Sequence, residues 1–483
     1  MRRAPFLAAA VLTIFTVSLA RAQTSSGALE GTVRDTSSGV LSGASVAVSS
    51  SRLIGGERKV AADAAGYFRL TELPPGLYTI AVSHPGFTAV RRDQIELPAG
   101  GTIVVDFTLA VGPVSDTVRI VAPSPMVDVT SAAPSQNIGE TFLRELPTTR
   151  VPASLINLVP GVANDVAFGG TAGSNAIAAD GLDLTEAAQQ AAFLRFDQNW
   201  VQEMQVASVG ADASAGGFTG LSANLVLKSG SNRLSGLGEF SFTNPSWVSV
   251  NTGRLPAAQQ SAISPRKINR MWDTSLQAGF PILRDRLWVF AGFRHSTLED
   301  RPFGFSGSAV SQTDDSLYLL KLSSAPASRV RLEGFVQAGR YRQAAANLGM
   351  SFDDTALADS TKPETSWNLR TTWTPFERTL VEGRYGGFNG SSNVVAHPPN
   401  TCSGPPAHVE GTTGRWSGNF YQCVQVSQTR HNGSLSLTQT LGALAACTSS
   451  RPASNSTART ASMPGTTRAV STTLTATEPR TRP

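Results

Sequence analysis

Histidines and carboxylates are where a hydrolytic centre would have to begin. The chain has five histidines, His84, His295, His397, His408 and His431. A zinc peptidase needs two or three His or carboxylate ligands at fixed spacing, with a carboxylate base beside them. None of the five sits in His-Glu-x-x-His or His-x-x-Glu. Gly-x-Ser-x-Gly, Walker and dinucleotide-binding patterns are also absent. Asp180-Gly181-Leu182-Asp183 brings two carboxylates around a turn. Hard cations favour oxygen ligands, but four residues do not supply the six or more that calcium takes, so the expectation is a solvated turn. Of three cysteines, Cys402 and Cys423 can pair in an oxidising compartment, which leaves Cys447 odd. No catalytic residue, metal ligand or cofactor is assigned.

What remains is backbone chemistry. Residues 114–122 read VSDTVRIVA, a brief strand-prone run with Pro113 just before it and Pro123 just after. The prolines restrict pairing outside this window. The expectation is a free-standing strand with two unpaired edges, able to join another protein's sheet. The competing reading is an interdomain linker or the last strand of the domain before it.

The elements around this run divide a chain of 483 residues, too long for one ordinary domain. Residues 1–22 read as a cleaved signal peptide: Arg2 and Arg3, an apolar stretch from Phe6 to Leu19, then Ala20-Arg21-Ala22. Export through the periplasm follows. Net charge is +5, and basic runs interleaved with aromatics are absent, so no nucleic-acid partner is expected. Residues 23–112 carry short alternating strands broken by Gly and Pro, the pattern of a small β-sandwich. Within them YFRLTEL and LYTIAV flank Pro74-Pro75-Gly76 and read as two strands joined by a tight turn, with Gly76 at the positive-φ position of a type II turn.

From residue 235 the rhythm lengthens. Nine segments alternate apolar and polar over roughly ten residues, the length and dyad of a membrane-spanning strand. They begin at LSGLGEFSF and end with FYQCVQVSQ and SLSLTQTL. In RVRLEGFVQ, Val330, Leu332 and Val336 alternate with Arg331, Glu333 and Gln337; in TLVEGRYGG, Val381 and Tyr385 alternate with Glu382 and Arg384. Trp272, Trp288, Trp367, Trp373 and Tyr385 are expected in aromatic girdles. Short connections alternate with long ones, as transmembrane barrels do.

Two resemblances follow from these residues. "GTVRD … GASVAV … AAGYFRLTELPPGLYTIAVSHPGF" resembles the carboxypeptidase regulatory-like domain, which has a transthyretin-like or carbohydrate-binding-like sandwich. DTVRIVA followed by LRELPTTR and LINLVPGV, and later FDQNWVQEMQVASVGADASAGGFTGLSANLVLKSGSNRLSGLGEF, resembles the start of an Oar-like TonB-dependent receptor. The resemblance implies a TonB box at Asp116, Thr117, Val118, Arg119, Ile120 and Val121, within a segment 113–123, and a plug over 124–234. It also implies a TonB-type energy-transducing partner, surrounding outer-membrane lipid and a nutrient ligand such as a glycan. Ligand contacts are expected on plug apices and long loops near 165–190.

The fold expected is mainly β: a small N-terminal β-sandwich, an α+β plug, an incomplete antiparallel transmembrane β-barrel over 235–442 and a disordered tail over 443–483. The tail lacks Phe, Tyr, Trp, Ile, Lys and Asp, and alternation stops at Leu441. It reads as an out-of-frame extension of a barrel cut short of the about 22 strands that enclose a plug. The function expected is an outer-membrane TonB-dependent receptor, as given a fragment unable to transport alone. The alternatives are a non-transporting outer-membrane adhesion protein and a periplasmic carbohydrate-binding β-sandwich protein.

Overall fold

The computed structural model describes residues 26–440, apart from stretches within 51–56 and at 113–116, 122–134, 146–155, 186–194, 208–219 and 250–264 and a few isolated positions, together with 458–464 and 473–476. The signal-peptide reading, Asp116 and Cys447 lie outside the described residues.

The first unit has strands β1 (Gly27–Asp35), β2 (Ser45–Ser49), β3 (Glu57–Ala61), β4 (Tyr67–Leu73), β5 (Gly76–Ser83), β6 (Ala89–Leu97), β7 (Thr102–Val104) and β8 (Phe107–Leu109). They form two sheets, one built on β4-β1-β7 with β8 against β1, the other ordered β3-β2-β5-β6 and continuing to a further strand, β9 (Thr117–Val121). The alternate residues Leu29, Val33, Val46, Ile80, Val82 and Phe107 point between the sheets and are buried. Strand alternation alone makes one dry face per sheet, and stacking two such faces makes the core.

Two local expectations change here. β4 pairs with β1, and β5 pairs with β2 and β6. Pro74-Pro75-Gly76 therefore carries the chain from one sheet to the other and does not close a hairpin. Gly76 has φ of 149°, which a Cβ would disfavour, and the Tyr78 hydroxyl donates to the Pro74 carbonyl to hold the crossing. The segment expected to be free-standing is also paired: β9 lies parallel to β6, Ala89 opposite Thr117 through Asp93 opposite Val121. The flanking prolines do not prevent this, because five residues suffice for an edge ladder.

The second unit has β10 (Ser135–Gly139), helix α1 (Glu140–Glu145), the small hairpin β11 (Val162–Ala163) and β12 (Val166–Ala167), then β13 (Ala176–Ala179), β14 (Leu182–Asp183), β15 (Val201–Ala207) and β16 (Ser222–Leu227). Its sheet is ordered β10-β15-β16-β13-β14. Trp200, Met204, Leu221 and Leu225 form its buried centre.

The third unit is a wall of long antiparallel strands: β17 (Ser235–Thr243), β18 (Lys267–Leu283), β19 (Leu287–Arg301), β20 (Ser311–Ala327), β21 (Val330–Ala344), β22 (Ala358–Phe376), β23 (Thr379–Ala396) and, after a small hairpin of β24 (His408–Val409) and β25 (Trp416–Ser417), β26 (Val424–Thr440). Each pairs with the next in chain order, β23 pairing with β26. The last two of the nine expected segments are halves of the single 17-residue β26; His431-Asn432-Gly433 stays extended opposite Gly387, Gly386 and Tyr385. Among the described residues β17 finds no second neighbour, so the wall is open. In the tail, Ala458–Pro464 (β27) and Thr473–Ala476 (β28) pair with β26.

Parity along the wall is the decisive feature. On β22, Glu364, Ser366, Asn368, Arg370 and Thr372 are buried, whereas Leu369 and Trp373 are exposed. On β20, Lys321 and Ser323 are buried while Tyr318, Leu320 and Leu322 are exposed. A soluble sheet would show the reverse; a lipid-facing one shows this. Trp288 departs from the expected girdle: it is fully buried, and its indole N–H donates to Asn232 at 2.8 Å.

Candidate functional site

The second unit sits on the polar face of the wall and reaches it through charge. Asp180 and Gly181 are the loop of the two-residue hairpin β13–β14, with φ of 45° and 75°. Two consecutive positive φ values define the tight turn that Asp-Gly favours. The sequence reading of a turn holds here, but the turn is not solvated. Asp180 is 7% exposed. Its carboxylate accepts the Leu227 N–H at 3.0 Å and the Lys321 ammonium at 2.7 Å. The Arg384 guanidinium donates to the Gly181 carbonyl at 2.9 Å, and Arg430 donates to the Asp183 carboxylate at 2.6 Å. Asn368 and Asn432 donate to the carbonyls of Asp180 and Asp183. One turn is thereby held by β20, β22, β23 and β26. Arg384 faces inward, as its alternation with Tyr385 predicts.

A second anchor has the opposite sign. Arg195 donates to Asp315 of β20 at 2.5 Å and, through its backbone N–H, to Glu364 of β22 at 3.1 Å. Asp197 accepts from Ser275 of β18 and from the Asn199 N–H. Burial pushes its carboxyl above the ordinary range, against those two hydrogen bonds. Asn199 donates to Glu239 of β17 at 2.9 Å. The Trp200 indole packs against β19 at Gly292, where an added Cβ would come within 2.5 Å of the ring. These partners were not legible from spacing, since Lys321 and Asp180 are 141 residues apart. The one available signal was a charged residue at an alternating wall position.

The sandwich meets this assembly at the short-turn end of the wall. Glu203 of β15 accepts the Ala99 N–H at 3.1 Å, and Gln202 donates to the Pro75 carbonyl. Burial is the main cause that pushes Glu203 up to about 7, with the charge of Glu96 adding to it and the Ala99 N–H opposing. A small cavity, 50 Å³, lies where the three units meet, bounded by Ser26, Pro74, Gln202, Lys321, Arg331 and Arg370. At the long-loop end Cys402 and Cys423 are bonded, Cα atoms 5.8 Å apart, beside Tyr421 stacked on Trp416. Of the expected box, Thr117–Val121 is strand β9. Of the expected ligand region 165–190, Asp180, Gly181, Asp183 and Thr185 are hydrogen-bonded to the wall, and 186–190 lies outside the described residues.

Residues 28–110 match the family model of the carboxypeptidase regulatory-like domain. The first unit is such a domain. The chain is also 30% identical over 292 residues to the TonB-dependent transporter Oar of Myxococcus xanthus, which covers 58% of this chain and 27% of Oar. The resemblance to Oar-like TonB-dependent receptors carrying a regulatory-like domain is thus shown, and the chain spans about a quarter of that relative's length. Among solved structures it is similar to the outer membrane transporter YddB from Escherichia coli, with TM-score 0.46 and 12% identity over 63% of this chain and 48% of that one. A similar likeness, TM-score 0.45 and 10% identity over 65% of this chain and 40% of that one, joins it to the ferripyoverdine receptor of Pseudomonas aeruginosa.

Proposed function

We propose that this chain belongs to a TonB-dependent receptor of the outer membrane that takes up a nutrient ligand. The observation that carries this reading is the inverted wall: polar and charged side chains toward the plug, Leu, Tyr and Trp toward the outside. That arrangement fits a barrel whose lumen holds the plug and whose outer face meets lipid. The kinship with Oar supports the TonB dependence. In this reading a TonB-type partner adds a strand to the Thr117–Val121 segment and pulls. The load passes along the chain to β10 and the plug sheet. The ion pairs of Asp180, Asp183 and Arg195 with the wall decide what yields.

The test is co-purification of the outer-membrane protein with the C-terminal domain of a TonB-type protein. Capture by the intact protein, lost in Val118→Pro, is the expected result. Proline removes a backbone N–H from the strand. Capture that survives Val118→Pro, or no capture at all from a correctly localised protein, would sink the transport reading and favour adhesion.

A further inference from the structure

We propose that the regulatory-like domain displays the TonB-binding strand: β9 is held on β6 as the last strand of the sheet, and the partner's strand adds to the outer edge of β9. This rests on the receptor reading above and goes beyond it by naming the surface that is recognised.

The sheet ordered β3-β2-β5-β6-β9 has two ends, and they differ in chemistry. β3 reads Glu57-Arg58-Lys59-Val60-Ala61. Three consecutive charges, with Lys59 paired to Glu57 at 3.1 Å, are the usual means of keeping an edge strand from recruiting another chain. β9 reads Thr117-Val118-Arg119-Ile120-Val121, with a single charge and four β-branched residues that favour extended backbone. One end of the sheet is guarded and the other is not. Among the described residues no strand pairs with the outer edge of β9. In a strand, neighbouring residues direct their N–H and C=O groups to opposite edges, so pairing with β6 leaves about half of those of β9 available.

Docking on β6 also changes the thermodynamics of recognition. A loose segment must be ordered when it binds, and that cost is subtracted from affinity. Here the ladder from Ala89–Thr117 to Asp93–Val121 has already ordered it. The sandwich thereby does for its neighbour what an idle accessory domain would not.

The test locks β9 in place and measures binding. In a Cys447→Ser background, Ala89→Cys with Thr117→Cys places a cysteine pair at opposed positions of the ladder. Leu77→Cys with Glu96→Cys does the same between β5 and β6 and serves as the control for folding and oxidation. Both disulfides are expected to form, and the protein locked at 89–117 is expected to bind the TonB C-terminal domain within about two-fold of its reduced form. A locked protein that binds at least about ten-fold more weakly overturns the proposal, because the sandwich would then hide the strand. Failure of the 89–117 disulfide where the control forms overturns it too. If the reduced protein does not bind at all, the receptor reading itself has failed and this proposal falls with it; loss on locking alone leaves the receptor reading intact.

Discussion

In the sandwich, Leu29, Val46 and Ile80 are buried and Glu57, Arg58 and Lys59 lie at the sheet's edge. In the wall, Glu364, Arg370 and Lys321 are buried and Leu320, Leu369 and Trp373 are exposed. Both units are built of strands with a two-residue side-chain period. What separates them is the medium each face meets. The sandwich hides its apolar face because its surroundings are water; the wall hides its charges against polar groups of the second unit because its other face is fit for lipid. The same contrast applies to ion pairs. Lys59–Glu57 is largely exposed, whereas the Lys321 and Asp180 side chains are 5% and 11% exposed.

The sharpest way to break this comparison is to remove one buried cation. Lys321→Met strands the Asp180 carboxylate, and losing one partner of a buried pair costs about 3–5 kcal/mol. The second unit should become protease-sensitive in the assembled protein, and Lys321→Met with Asp180→Asn should restore much of the resistance. Next in size is a charge on the outer face of the wall. Leu369→Arg should cost about 2–4 kcal/mol if that position lies at mid-bilayer, read as loss of assembled protein in lipid. Leu77→Arg, at an exposed position of the sandwich, should change stability by no more than about 0.5 kcal/mol.

Glu203 sharpens the comparison where the two units touch. Its carboxyl is raised to about 7, so the docked state binds a proton more tightly than the undocked one. Docking is then firmest below the ordinary glutamate range and weakens as pH rises toward 7, by up to about 3 kcal/mol. Glu203→Gln should remove that slope, measured as protease protection of the contact between the sandwich and the second unit between pH 4.5 and 8. The smallest effect is expected from Lys59→Met, at most about 0.5 kcal/mol by thermal unfolding, as for any exposed pair.

How much of this was legible depended on distance along the chain. Alternation is local, so the inward parity of Arg384 and the outward parity of Val336 could be read from neighbours. The Asp180-Gly181 turn was equally local. Pairing is not. That β4 and β5 belong to opposite sheets, that β9 joins β6, and that Asp180 meets Lys321 are all facts about segments brought together by the fold. FYQCVQVSQ and SLSLTQTL read as two segments, but the ladder with β23 runs through His431-Asn432-Gly433 and makes one strand of them. The site was therefore legible as a set of inward charges and not as a set of partners.

The length of the wall strands has a mechanical consequence. At about 3.3 Å per residue, the 19 residues of β22 run about 60 Å, or roughly 45 Å along the membrane normal at the usual tilt of such strands. In the receptor reading proposed above, the greasy band that such strands cross is only about 25 Å tall, and β22 remains laddered to β23 out to Ala358 opposite Ala396. A stiff parapet thus rises above the lipid on the side of the cystine-stapled hairpin. Whatever arrives from outside meets braced masonry before it meets any loose thread.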